Sequence, residues 1–338
     1  MRLRKLLTSV EMQKRVVACA GMAMAAMVVV ACSAPMPNQG GASSAPRVPA
    51  QIIATAATTR TIKHAFGETT IPVAPQRVLA LGEDALLLNL LDLGIKPVAS
   101  NANIPEQIPL AHADELAGIE LFTSAAEFSI EKLSAFKPDL IIGTRFFIEN
   151  AGYDKLSRIA PTVALSSEAE LEAFVELARV LGKEAKAQAQ VDAFKQQMAR
   201  QAERIRAKGE SLSVATVYPG PNVAAWVDGP SPIPQMLLDL GFTFSPDAQA
   251  AAPFGIRSGR AFISPEKLDL FAADTLLLLQ TPAVEGELEA VEKIKSSPIW
   301  QKLPAVQAGR VFTLDRIGYP GFRGAKQLLA DVLKVIES

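Results

Sequence analysis

Two short phrases carry the residue types of a nucleophilic site. Ser129-Ile130-Glu131-Lys132 and Ser264-Pro265-Glu266-Lys267 both match Ser-x-x-Lys, the serine nucleophile signature of penicillin-binding enzymes. The companion Ser-Asp-Asn and Lys-Thr-Gly phrases of that chemistry are absent. A nucleophile is needed once, and this phrase comes twice. It reads better as a helix start: Ser as the cap, Pro265 at the first helical position, Glu in the first turn, where the helix dipole favours a negative charge. That reading puts Glu131 and Glu266 at equivalent exposed spots. No Gly-x-Ser-x-Gly, His-Glu-x-x-His, phosphate-binding loop or Gly-x-Gly-x-x-Gly is present.

The chain has only two histidines and two cysteines. A zinc site usually takes three or four ligands from those types, so the composition argues against one. His64 falls in an expected hairpin and His112 in Ala-His-Ala-Asp-Glu. Neither neighbours another strong ligand, and both read as separate surface residues. The formal net charge of −1 gives no electrostatic case for a nucleic-acid partner.

These residues need a frame. The 338 residues, 49% hydrophobic and 20% charged, suffice for two domains with their own cores. The frame does not begin at Met1. Arg2, Arg4, Lys5, Lys14 and Arg15 precede an uncharged run, VVACAGMAMAAMVVVA, which ends at Cys32. A permanent bilayer span needs about 20 apolar residues. This run is shorter and ends in small residues, as a cleaved export signal does. Val29-Val30-Ala31-Cys32 resembles a bacterial lipobox, which makes residues 1–31 the signal and Cys32 the lipidated residue. Cys19 has no apolar segment before it. Ordinary cleavage near Ala34, or an uncleaved anchor, is the alternative. Residues 32–58, rich in Ala, Ser, Pro and Gly, read as a flexible tether.

Beyond the tether the chain alternates strand and helix. RVLALG, IKPVAS, DLIIG and PTVALS read as strands, with LLLNLLDLG and SIEKLSAF as helices, the former stopped at Gly94. The rhythm restarts after residue 210 with SVATVYP, QMLLDLG, SPEKLDLF, DTLLLLQ, RVFTLD and a last helix in GAKQLLADVLKVI. Leu-Leu-Asp-Leu-Gly and then Glu-Lys-Leu recur in the same order in both halves. The fold expected is α/β: two Rossmann-like lobes with doubly wound sheets, at 59–182 and 210–338. Between them, 183–209 contains a long helix without Gly or Pro up to Gly209. Ala187, Val191, Phe194, Met198 and Ile205 form one apolar stripe along it. Such a helix suits a strut along both lobes; a coiled-coil dimer helix is the alternative.

The phrases FGETTIPVAPQRVLALG, LLDLGIKPVAS, IEKLSAFKPDLIIGTR, YDKLSRIAPTV and SPIWQKLPAVQAGRVFTLD, in the order lipobox, tether, lobe, long helix, lobe, resemble one family. It is that of the helical-backbone (class III) substrate-binding proteins of bacterial ABC importers, which carry ferric siderophores, haem and vitamin B12. The likeness runs from about residue 60 to the C-terminus. It departs at YPGFRGAKQLL, 319–329, where many relatives carry a Trp and a Gly-Gly pair. The resemblance implies no catalysis, a shallow interlobe cleft and little hinge motion. It implies a monomer, anchored by lipid at the membrane of the cell envelope and facing the periplasm or the outside. Its partner is an ABC permease dimer with its ATPase, and Glu131 and Glu266 become the docking pair, one from each lobe.

A ferric siderophore is bulky, often anionic, and arrives with its iron already chelated. No cofactor or protein metal ligand is then needed, only cations and aromatic surface. Ligands of open α/β sheets bind beyond the carboxyl ends of the strands. The candidates there are Arg145 and Phe146 after DLIIGT, Tyr218 and Trp226 at and beyond SVATV, Arg257 and Arg260 in the glycine-rich GIRSGR, and Tyr319, Phe322 and Arg323 before the last helix. Haem would want an axial ligand, for which Tyr218 or Tyr319 could serve, and cobalamin stays open. A hydrolase on a two-lobe scaffold is the competing class.

Overall fold

Uninterrupted runs of Val, Leu, Ile and Ala produce strands buried on both faces. The computed structural model describes residues 48–103, 114–123, 129–167, 169–220, 222–229, 231–281, 284–316 and 318–337. In the N-terminal lobe, β1 (Gln51–Thr55), β2 (Thr59–His64) and β3 (Gly67–Pro72) form a small antiparallel sheet. The main sheet of that lobe holds β4 (Val78–Leu81), β5 (Ala99–Ala102), β6 (Glu120–Thr123), β7 (Leu140–Thr144) and β8 (Thr162–Leu165). Its order is β6-β5-β4-β7-β8, with every pair parallel. A parallel sheet needs cover on both faces, and its strands accordingly lack the alternation of a half-exposed sheet.

β1 lies inside the segment expected to be tether. Its pairing with β2 supplies backbone hydrogen bonds, and the buried Glu176 carboxylate holds its root. Glu176 accepts from the N–H groups of Ala50 (2.5 Å), Ser166 (3.1 Å) and Ser167 (2.8 Å). A buried carboxylate needs such donors. Composition alone does not show them, because they come from residues far along the chain.

The C-terminal lobe departs from a purely parallel sheet. It holds β9 (Ser211–Val217), β10 (Val223–Trp226), β11 (Thr243–Phe244), β12 (Ile256–Arg257), β13 (Arg260–Ile263), β14 (Thr275–Gln280) and β15 (Val311–Asp315). The order is β12-β13-β10-β9-β14-β15, with β11 beside β9. β9, β14 and β15 run parallel, while β10, β13 and β12 form an antiparallel wing. GIRSGR is therefore a two-residue hairpin rather than a loop, turning at Ser258 (φ 48°) and Gly259 (φ 71°). Paired positive φ values are what the tight hairpin turn requires.

The long helix spans Glu184–Lys208 and ends at Gly209 (φ 66°). Its 25 residues are roughly 38 Å long. Ala187, Val191, Phe194 and Ile205 are buried in one core that runs from Val78 and Leu140 to Leu212, Val214 and Leu277. The stripe is thus covered by the chain's own lobes. The last helix, Gly321–Glu337, crosses back to the first lobe. Phe322 stacks on Phe174 at 4.7 Å between ring centroids and meets Phe194 edge-on at 5.8 Å, while its N–H donates to Asn89 Oδ1 at 2.9 Å. A shared core and a crossing helix make lobe motion costly.

Candidate functional site

Three adjacent parallel strands of the second lobe deliver side chains to one edge. Tyr218 follows β9, Thr281 follows β14 and Arg316 follows β15. This is the carboxyl edge, where α/β sheets expose their loops. The antiparallel wing adds Trp226 and Arg260, opposite one another in register and so on one face. With Ser258, Leu279, the helix start Ser231-Pro232-Ile233, Tyr319 and Pro320, the residues Tyr218, Arg316, Trp226 and Arg260 line a cavity of about 570 Å³. Glu170 closes it from the first lobe, where it begins the helix Glu170–Val180.

The cations in this cavity are held over aromatic rings. Arg260 donates from Nη1 to Tyr218 OH at 2.6 Å, and its guanidinium lies 5.0 Å from the Trp226 ring and 5.9 Å from that of Tyr218. Its Nε is buried without a partner among the described residues. Trp226 is fixed by its own Nε1–H bond to Thr216 Oγ1 at 3.1 Å. Arg316 sits 5.0 Å from the Tyr218 ring, donating to Thr281 Oγ1 and Glu287 Oε2, each at 3.2 Å. Glu287 is fully buried; burial pushes its carboxyl up and Arg316 pulls it back. The resulting surface is positive and aromatic, suited to an anionic ligand with flat or bulky parts.

The cavity also contains two groups whose proton affinity burial raises. Burial and the neighbouring Asp331, which accepts from the hydroxyl at 3.2 Å, hold the Tyr319 phenol well above its usual range. Burial raises the Glu170 carboxyl to about 7, against a bond from the Gly321 N–H that lowers it.

Of the sequence-derived candidates, Tyr218, Trp226, Arg260 and Tyr319 meet in this wall. Arg257 pairs with Arg260 across the hairpin and shares its face, but lies exposed outside the wall. Arg145 and Phe146 open the helix Arg145–Ala151 on the carboxyl edge of the first lobe's sheet, also outside it. Phe146 is exposed, with its ring edge-on to Phe147 at 5.1 Å. Phe322 is 1% exposed and belongs to the core. Arg323 is taken by the first lobe, bonded to Asp92 at 2.5 Å and Glu115 at 2.6 Å. Its place before the last helix suggests a ligand group at the cleft; the crossing of that helix makes it an interlobe tie instead.

Sequence reading missed Arg316, Phe262 and Glu170. Arg316 directly follows the strand RVFTLD, just as Arg145 follows DLIIGT, so the strand-end rule applied to it equally. Phe262 lies two residues from Arg260 on β13, hence on the same face, and is exposed 6.4 Å from the Tyr218 ring. Glu170 carried no local signal.

The repeated acids lie on the outside. Ser129 Oγ donates to Glu131 at 2.9 Å and accepts the Lys132 N–H at 3.2 Å, capping the helix Ile130–Ala135. Each carboxyl is lowered by its own backbone N–H and then by its serine, Ser129 for Glu131 and Ser264 for Glu266. Both acids are exposed. The second copy is a 3₁₀ turn, Pro265–Leu270, with Lys267 off helical geometry (φ −115°).

His64 is buried, 3% exposed, contrary to the surface position expected. Its Nε2 meets Thr69 Oγ1 at 2.9 Å, and the Tyr153 ring lies edge-on at 5.6 Å. Among the described residues no group of His, Cys, Asp and Glu could hold a metal ion. Cys32 and His112 lie outside the described residues.

A profile of the periplasmic binding protein family matches residues 81–317. The Fe(3+)-citrate-binding protein YfmC of Bacillus subtilis is 27% identical over 93% of this chain and 94% of its own length. The Fe(3+) dicitrate-binding periplasmic protein FecB of Escherichia coli is 26% identical over 81% of this chain and 89% of its own. Staphylococcus aureus SirA, solved in complex with staphyloferrin B, superposes with a TM-score of 0.63 at 25% identity, covering 82% of this chain and 98% of its own. The matched relatives are binding proteins rather than enzymes, and this chain, with its two α/β lobes, belongs to the periplasmic binding protein family.

Proposed function

We propose that the chain captures a ferric siderophore in the cavity between its lobes and hands it to an ABC permease. The observation that carries this reading is the pair Arg260 and Arg316, both within cation–π reach of Tyr218, with the Arg260 Nε buried and unpartnered among the described residues. A buried donor without a partner costs roughly 1–3 kcal/mol, which an anionic ligand oxygen would offset. The relatives named for ferric citrate, and the SirA complex with staphyloferrin B, support the same ligand class. Iron arrives chelated, so the protein contributes no metal ligand. Haem has less support: the Tyr319 hydroxyl donates to Asp331 and is a poor axial group, and the relatives named above bind ferric chelates.

In this reading Cys32 carries the lipid that holds a monomer at the membrane of the cell envelope. Among the described residues no helix is long and apolar enough to cross a bilayer. Glu131 and Glu266 supply one acidic contact from each lobe to a permease of twofold symmetry. Both stay ionised because serine and backbone donors favour the charged form.

The experiment uses tryptophan fluorescence. The chain has two tryptophans, and Trp300 is buried in a separate core of the second lobe. In a Trp300→Phe background, ferric hydroxamate, catecholate and carboxylate siderophores are titrated. Saturable quenching of Trp226 by one class, with the ligand recovered intact, is expected. Turnover without a stoichiometric complex would point to the hydrolase instead.

A further inference from the structure

A second cavity of about 470 Å³ lies against the first. Glu170, Ser231, Pro232 and Tyr319 line both. Much of its remaining wall differs in kind: Leu171 from the helix Glu170–Val180, Phe194, Met198 and Ala199 from the backbone helix, Met236 from the helix Pro232–Asp239 and Leu328 from the last helix, with Glu172 and Lys195 at its exposed rim. Gln235 and Asp239, also in this wall, are bonded to each other at 2.9 Å. Lys195 and Ala199 are exposed, so the far end opens beside the backbone helix. The first cavity offers guanidinium groups on aromatic rings, and its neighbour offers aliphatic and thioether surface.

We infer that the ligand is amphiphilic: its anionic ferric head occupies the cavity of Arg260 and Arg316, and an acyl chain passes the shared wall into the apolar one. This deepens the ferric-siderophore reading and rests on it. The two chemistries need one another. The apolar part of this wall offers water few hydrogen-bond partners. A chain attached to a head already bound next door enters at high effective concentration. Glu170 at the shared wall is half-buried, and Ser231 and Tyr319 leave a junction that is neither fully polar nor fully apolar. Such a junction suits the amide or ester by which a chain joins a chelating head. Each methylene buried adds roughly four-fold in affinity before the ordering of the chain is subtracted.

The test compares two ferric complexes with the same citrate-hydroxamate head, one unacylated and one carrying a chain of about eight carbons, both kept below micelle formation. Titrations use the full mature protein, Ala199→Trp and Met198→Gln. Both substitutions lie on the backbone helix, at an exposed and a half-buried position, and thermal melts check that each variant folds. The acylated complex should bind the unsubstituted protein roughly ten- to a hundred-fold more tightly. Ala199→Trp, which fills the apolar cavity, should abolish that preference while leaving the unacylated complex within about two-fold, and Met198→Gln should reduce it. Equal affinity of the two complexes, or a preference untouched by both substitutions, would overturn the inference and leave the siderophore reading standing. Failure of both complexes to bind would overturn the inference together with the reading beneath it.

Discussion

The two lobes carry the same exposed acid on the outside and different equipment on the inside. Glu131 and Glu266 follow a serine in the same phrase, are both exposed, and are both held ionised by the same kinds of donor. Their scaffolds differ, a capped α-helix against a 3₁₀ turn, yet the acid survives. The cleft edges have no such symmetry. The second lobe brings Tyr218, Trp226, Arg260 and Arg316 into one cavity wall, and the first lobe contributes Glu170. A partner of twofold symmetry asks two lobes for the same contact. A ligand with no such symmetry does not; the antiparallel wing β10–β13–β12, which has no counterpart in the first lobe's main sheet among the described residues, is where the candidate wall gains Trp226 and Arg260.

Arg316→Ala breaks the inner side of this comparison most severely. It strips the fully buried Glu287 of its cation, and losing one member of a buried pair costs about 3–5 kcal/mol. Chemical denaturation should show that loss, together with weakened ligand binding. Adding Glu287→Gln should restore much of the stability and none of the binding. Phe322→Ala should lose stability of similar size, about 3–5 kcal/mol, because it empties an aromatic core site. Its ligand affinity, measured on folded protein, should stay close to the original; a drop of ten-fold or more would return Phe322 to the site.

The outer side breaks differently. Glu131→Ala with Glu266→Ala should leave binding unchanged and slow uptake through the permease by more than either single change. Normal uptake in the double variant would reduce the repeated phrase to a helix start used twice.

The smallest effect expected is a pH dependence confined to the first lobe. Burial lowers His64 to about 4, against about 6.5 when unfolded. The unfolded ring takes up its proton first as pH falls. Stability from the neutral buried ring is therefore present above about 6.5 and lost as pH drops from there through about 4, on the order of 1–3 kcal/mol. Glu170, raised to about 7, acts in the opposite sense, since its folded form binds the extra proton between its unfolded value and 7. Urea midpoints from pH 7.5 to 4.5 in Glu170→Gln should fall with acid, and His64→Asn should flatten that fall.

Much of the frame was legible because it is local. Leu-Leu-Asp-Leu-Gly ends a helix in both halves at Gly94 and Gly241, each with positive φ, and the stripe on the backbone helix follows the 3.6-residue period. The candidate wall was legible where it borders elements visible in the sequence: Tyr218 follows a strand and Tyr319 precedes the last helix. What escaped depends on distant partners. GIRSGR hides a hairpin because Arg260 must pair with Trp226, 34 positions away, before its face is defined. Arg323 is matched with Asp92 and Glu115 only once the last helix crosses the lobes. Glu176 finds its hydrogen-bond donors in the core only because Ala50 returns to it.

The most direct measurement is the dissociation constant of one ferric siderophore for Arg260→Ala and for the Glu131→Ala, Glu266→Ala double variant, each against the unsubstituted protein. A hydrogen bond to a charged group is worth about 1.5–3 kcal/mol, so Arg260→Ala should lose about ten-fold or more, and the double variant should lose nothing. Equal affinity in all three proteins, or a loss confined to the glutamate variant, would contradict the assignment of capture to the second lobe's cavity.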